Sequence, residues 1–321
     1  MKESDQVILT LAKYHVKTIL DYSVEGKETD EDFDRSYNMI LKTVENAAIN
    51  NDIPFAVFKS TGMARLALLQ KINYKEPLSE DEEKEFQRVE HRIDGICKKG
   101  YELGIPILID SEESWYQETI DDLVHKMMEK YNREKCIVYN TTQMYRHDRL
   151  EFLRKSFEEA RNKGYKYGIK LVRGAYMEKE RERAEEYGYE DPIHATKADT
   201  DRDFNASLEL CVKNIDIVSV CCGSHNEESS KYLTELIAQN NVEKSDQRIY
   251  FSQLLGMSDH ISFNLSHDGY NVAKYVPFGP VYDVMPYLIR RTEENSSISG
   301  QSSRELILIQ KERLRRKSNL S

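Results

Sequence analysis

The chain has 321 residues, 39% of them hydrophobic and 32% charged, which is ample material for one large α/β core. Its 46 basic residues face 56 acidic ones, and the formal charge of −10 argues against nucleic acid as the main partner. No stretch approaches the ~18 apolar residues of a membrane span, and Met1-Lys2-Glu3-Ser4-Asp5-Gln6 lacks the apolar core of a signal peptide, so a cytoplasmic location is expected.

After a short N-terminal helical segment, short β-branched or apolar runs alternate with longer amphipathic ones. Candidate strands are Thr18–Tyr22, Phe55–Lys59, Ile107–Asp110, Ile137–Asn140, Tyr167–Val172, Ile215–Cys221, Ile249–Gln253 and Asn271–Val276. Helical patterns lie between them at Asp32–Asn50, Ser79–Leu103, Tyr116–Lys130, Arg146–Lys163, Asp199–Asn214 and Glu227–Asn240. Strand–helix units in this number, with no Pro/Ser-rich linker, predict a single-domain (β/α)8 TIM-like barrel over residues 1–301. A basic helical tail follows over 302–321. The alternative, a doubly wound open sheet, normally carries a G-x-G-x-x-G or G-x-x-x-x-G-K-[ST] turn, and neither occurs. Cys97, Cys136, Cys211, Cys221 and Cys222 are odd in number, lack C-x-x-C spacing and sit in apolar stretches, so buried reduced thiols are expected.

A barrel gathers its chemistry at the C-terminal strand ends. Lys59 closes the second candidate strand and Asp110 the third; Gln143 follows the fourth, Arg173 and Tyr176 the fifth, and His225 the sixth. Gln253 and Leu254 end the seventh, and Tyr275 lies on the eighth. Lys59, Lys170, Arg173, Lys197, Arg290 and Arg291 surround few carboxylates, which suits an anionic substrate and a phosphate-bearing cofactor. Adjacent guanidinium groups at Arg290 and Arg291 repel unless an anion binds them, and each offers a planar fork that fits a carboxylate bidentately. Asp110 needs a cation or hydroxyl, and Lys59 and Tyr275 are the expected partners. In Gly223-Ser224-His225-Asn226, the polar residues serve either as a helix cap or as ligand contacts.

Other chemistries lack their signatures. The eight histidines form no H-x-H or H-E-x-x-H, and there is no G-x-S-x-G elbow. A Schiff-base lysine at Lys59 or Lys170 stays open. The tail, ending in Arg313-Leu314-Arg315-Arg316-Lys317, reads either as a solvated helix end or as a peripheral contact with an anionic membrane surface.

Taken in order, Phe58-Lys59, Leu108-Ile109-Asp110, Tyr139-Asn140-Thr141-Thr142-Gln143, Lys170 through Tyr176, Ser224-His225-Asn226, Gln253 through Met257 and Tyr275 through Asn295 span nearly the whole chain. In this the sequence resembles the proline dehydrogenases, FAD-dependent barrels of proline catabolism, and within them the monofunctional bacterial branch. The resemblance implies oxidation of L-proline to Δ1-pyrroline-5-carboxylate by hydride transfer from proline C5 to flavin N5, with electrons passed to a quinone at the inner membrane. It implies that Lys59, Arg290 and Arg291 hold the proline carboxylate, while Leu254, Tyr275 and Tyr287 wall the ring. Asp110, tethering Tyr275, and Lys170, a cation near the flavin, would stand closest to the chemistry. Gln143, Lys170, Val172, Arg173, Gly174, Ser224 and His225 would bind FAD, with Thr196, Lys197 and Glu294 toward its adenosine and pyrophosphate end. Where Lys170 stands, the bifunctional branch has arginine. Relatives acting on hydroxyproline tend to carry a smaller residue at the position of Tyr275.

Overall fold

The computed structural model describes residues 2–22, 27–280, 284, 285, 289 and 301–318. Within them eight parallel strands follow one another around a closed barrel: β1 (Lys17–Tyr22), β2 (Ala56–Lys59), β3 (Ile107–Asp110), β4 (Val138–Gln143), β5 (Tyr167–Val172), β6 (Val218–Gly223), β7 (Ile249–Leu254) and β8 (Val272–Phe278). The last strand pairs with the first, from Lys17 opposite Ala273 to Tyr22 opposite Phe278, so the sheet has no open edge. Helix α1 (Lys2–Ala12) precedes the barrel. The crossovers hold α2 (Asp30–Ile49), α3 (Leu66–Asn73), α4 (Glu80–Leu103), α5 (Ser114–Tyr131), α6 (Arg149–Lys163), α7 (Met177–Tyr187), α8 (Lys197–Lys213), α9 (Glu227–Gln239) and α10 (Asp259–His267). The tail is α11 (Gln301–Ser318).

Alternation along the strands sorts the core into two layers. Outward residues such as Leu20, Phe58, Ile107, Ile109, Ile169, Val220 and Phe251 pack under the helices. Inward residues Ile19, Phe55, Val57, Leu108, Tyr139, Tyr250 and Tyr275 form a separate interior cluster. Phe55 meets Tyr139 and Tyr250 edge-on, with ring centroids 5.5 and 4.9 Å away. These aromatics fill the lower barrel and leave its C-terminal mouth to polar side chains.

Local chemistry sets the element ends. Ser79 starts α4 with a reciprocal capping box to Glu82, and Gly104 ends it in the left-handed conformation at φ 72°. Helix α6 begins at Arg149 rather than at the expected Arg146, because residues 145–147 pair with 192–194: the His194 amide donates to the Tyr145 carbonyl at 2.7 Å, and His147 to Pro192 at 3.1 Å. Strand β6 begins at Val218 rather than Ile215, since the Ile217 and Val218 amides turn back onto the Asn214 carbonyl, each at 2.9 Å. Strand β4 runs on through the polar Thr141-Thr142-Gln143, all buried, because β5 pairs with each of them. Helices α3, α7 and α10 were not anticipated. In α7, charged residues occupy nearly every position, and only Glu180 and Ala184 are buried, so no apolar stripe announces it. All five cysteines are buried and unpaired. Among the described residues no helix is long and apolar enough to cross a membrane.

Candidate active site

Counting inward from the interior cluster, each strand delivers one side chain to the mouth: Asp21, Lys59, Asp110, Thr141, Lys170, Cys221, Ser252 and Tyr275. Lys59 lies opposite Asp110, and Thr141 opposite Lys170. At the centre, the Lys170 ammonium donates to Asp110 Oδ1 at 2.5 Å and to the Tyr275 hydroxyl at 2.7 Å. It also stands 4.6 Å from the centre of the Tyr275 ring. Lys170 and Tyr275 are buried, at 5% and 6% exposure, so each charge at this depth depends on its partner. The expected Asp110 partners were Lys59 and Tyr275; the ion pair observed is with Lys170, which reaches across from β5 and bridges Asp110 to Tyr275. Leu254 stands opposite Tyr275 and packs on the interior cluster.

The loop after β3 forms one rim. Glu112 is buried, and its carboxylate accepts from the Thr61 amide at 3.0 Å and the Thr61 hydroxyl at 2.5 Å. Burial pushes its carboxyl up to about 7, against the lowering pull of the Lys59 charge and the Thr61 donors. Between its ordinary 4.5 and about 7, the native state therefore holds a proton that the unfolded chain has lost. Its contribution to stability is full below that window and disappears as pH rises through it. Glu112→Gln, neutral throughout, is expected to remove about 3 kcal/mol of this pH dependence. Urea midpoints of both proteins below and above the window measure the effect; parallel pH profiles would contradict it.

Gln143 joins this rim to the next. Its amide donates to the Glu112 carbonyl at 2.7 Å and accepts from the Ala175 amide at 3.0 Å. Beyond Val172, at the end of β5, the Arg173 guanidinium is held by Asp201 at 2.7 Å and by the Ser224 and Ser229 hydroxyls, each at 2.8 Å. It also covers the Phe204 ring at 4.3 Å. Asp201 pairs in turn with Lys197 at 2.5 Å, in the first turn of α8, whose N-cap is Thr196. His225 meets the Ser258 hydroxyl at 3.0 Å, and Asn226 rather than Ser224 caps α9.

The strand-end candidates thus fall into two adjoining groups. Lys59, Asp110, Lys170, Leu254 and Tyr275 line the centre, while Arg173, Thr196, Lys197, Ser224 and His225 form a polar rim over β5 and β6. Tyr287, Arg290, Arg291 and Glu294 lie outside the described residues. Sequence reasoning missed Asp21, Thr141, Ser252 and Glu112. Strict alternation from Ile19 would have turned Asp21 inward, where it is 2% exposed. Glu112 stands beyond a strand end and follows no period.

The family model described as proline dehydrogenase matches residues 5–304. The chain belongs to the proline dehydrogenase family. It is 34% identical over 360 residues to the mitochondrial proline dehydrogenase 1 of Dictyostelium discoideum, covering 98% of this chain and 63% of that protein. The human proline dehydrogenase 1, also mitochondrial, is 40% identical over 241 residues, covering 74% of this chain and 40% of the relative. The chain therefore spans less than two thirds of the length of these curated relatives. A crystal structure of proline utilization A from Bdellovibrio bacteriovorus, inactivated by N-propargylglycine, superposes with a TM-score of 0.82 at 20% identity, over 93% of this chain and 32% of that one. At that identity the superposition speaks for the shared barrel fold alone.

Two features of the mouth suit a flavin. The Thr141 hydroxyl is buried, inward-facing and without a hydrogen-bond partner, an arrangement that a ligand at this level would complete. Gly174, at φ 140° and with no Cβ to strike the Tyr145 ring, lets the 173–175 loop lie close on the barrel and carry Arg173 into the rim.

Proposed function

We propose that this chain oxidises L-proline to Δ1-pyrroline-5-carboxylate in proline catabolism, with FAD as cofactor and a quinone as the electron acceptor. The observation that carries the reading is the buried Asp110–Lys170–Tyr275 cluster at the mouth of a proline dehydrogenase family barrel. FAD, when bound, supplies the acceptor for the hydride that leaves proline C5. Gln143, Lys170, Val172, Arg173, Gly174, Ser224 and His225 would hold it, with Thr196, Lys197 and Glu294 toward the adenosine end. Lys59, Arg290 and Arg291 take the proline carboxylate, and Leu254, Tyr275 and Tyr287 enclose the ring and exclude water. Lys170 places a fixed positive charge where negative charge develops, and Asp110 orients it. The basic end of α11 would rest peripherally on an anionic membrane surface, where a quinone is accessible.

The test is the absorbance of the purified protein. Flavin bands near ~450 nm that bleach anaerobically on adding proline support the reading. Bands that persist in excess proline would indicate a binder without turnover, and a colourless protein trapped on Lys59 or Lys170 by borohydride and a carbonyl substrate would indicate a Schiff-base lyase.

Tyr275 also bears on substrate choice. Its ring is buried against the interior cluster at the point where a substituted proline ring would need room. Tyr275→Ser is expected to raise the activity on 4-hydroxyproline relative to proline; an unchanged ratio of kcat/KM values would count against this placement.

A further inference from the structure

The outward face of β8 carries a lysine where the helix layer calls for a hydrophobe. Val272 and Val276 on that face belong to the outer core, yet between them stands Lys274, whose side chain is 0% exposed. A buried ammonium must satisfy its donors. Those of Lys274 reach the Leu254 carbonyl at 3.4 Å, the Met257 carbonyl at 2.5 Å and Asp259 Oδ1 at 2.8 Å. These three acceptors lie on one segment, residues 254–259, where β7 turns into α10.

The backbone of this turn passes through two left-handed residues. Gly256 adopts φ 76° and Ser258 φ 53°, the latter a left-handed conformation that strains a side-chain-bearing residue. The same turn touches both halves of the site. It begins at Leu254, opposite Tyr275, and its Leu255 amide donates to the Tyr275 carbonyl at 2.9 Å. Its Ser258 hydroxyl meets His225, and Gln253, held by Ser262 at 2.8 Å, donates to the Ser224 carbonyl at 3.1 Å.

We propose that Lys274 is a positioning residue: its ammonium moulds the 254–259 turn and so sets Leu254 against the substrate ring and Ser258 against His225. The kinetic part of this inference rests on the proline-oxidising reading; the structural part does not.

Hydrogen exchange tests the structural part whether or not proline is turned over. In Lys274→Met, whose side chain fits the same apolar slot, exchange at the Leu255 and Met257 amides is expected to quicken about tenfold or more. Amides of α6, on the far side, should be unchanged. Unaltered protection of the turn, or a uniform loss everywhere, would overturn the clamp. The kinetic part is read by a double-mutant cycle with Leu254→Ala. Lys274→Met alone is expected to raise KM for proline about tenfold with a much smaller change in kcat. In the Leu254→Ala background the added factor should fall to about twofold or less, since both changes act through one side chain. Full multiplication of the two effects would show that Lys274 does not act through Leu254. Should Lys274→Met not fold, Asp259→Ala removes one acceptor at the surface, where the Asp259 side chain is 59% exposed. It is expected to show the same non-additivity with a factor of about three, and independence from Leu254 would again overturn the proposal.

Discussion

Lys170→Met is expected to lower kcat for proline oxidation by about a hundredfold or more while KM for proline changes far less. Methionine has nearly the length and volume of lysine, so the substitution removes the charge and little packing. What remains is an Asp110 carboxylate deprived of its 2.5 Å partner, beside a Tyr275 hydroxyl that has lost an ammonium at 2.7 Å. The uncompensated carboxylate should also cost about 3 kcal/mol of stability, which thermal or urea unfolding will report separately from the kinetics. Lys170→Arg keeps the charge but replaces a compact point donor by a planar fork, so it should recover much of the lost rate. Steady-state kinetics on flavin-normalised protein distinguishes these outcomes. A Lys170→Met enzyme with kcat within about threefold of wild type would remove Lys170 from the chemistry and leave it a structural ion pair.

This prediction could be framed only in outline from the sequence. Alternation of short apolar runs with amphipathic helices made the barrel legible, and the barrel implies that strand ends meet. Which strand ends touch depends on register and strand tilt, which residue patterns do not encode. Lys170 and Asp110 are sixty residues apart and two strands apart, and only the closed sheet brings their side chains together. Asp21 escaped notice because the first strand, unlike the other seven, carried no residue that drew attention, although its alternation was present. Glu112 and Lys274 were illegible for a different reason. Each is a charged residue whose burial depends on partners from another segment, Thr61 in one case and the 254–259 turn in the other. The Arg290-Arg291 pair was the most suggestive dipeptide in the chain, and its assigned role continues to rest on family resemblance.

The second large effect concerns the backbone of the cofactor rim. Gly174→Ala is expected to lower the unfolding temperature by several degrees and to strip most of the flavin from the purified protein. At φ 140° the residue occupies a region that alanine adopts only with strain. A Cβ there would lie 2.5 Å from three atoms of the Tyr145 ring, well inside van der Waals contact. Tyr145 cannot readily retreat, since it is 4% exposed, its amide donates to the Arg173 carbonyl at 2.7 Å, and its carbonyl accepts from His194 at 2.7 Å. The 173–175 loop must therefore move instead. Moving it pulls the Ala175 amide from Gln143, which bridges to Glu112, and shifts the Arg173 guanidinium from Ser224. Strain and clash together should cost about 2–4 kcal/mol, concentrated where FAD is expected to bind. Pairing the change with Tyr145→Ala separates the two sources, because it removes the clash and leaves the dihedral strain. Partial recovery of flavin content in the double variant is the expected result. A Gly174→Ala protein with full flavin and an unshifted melting temperature would show that this loop is neither tight nor needed for the cofactor.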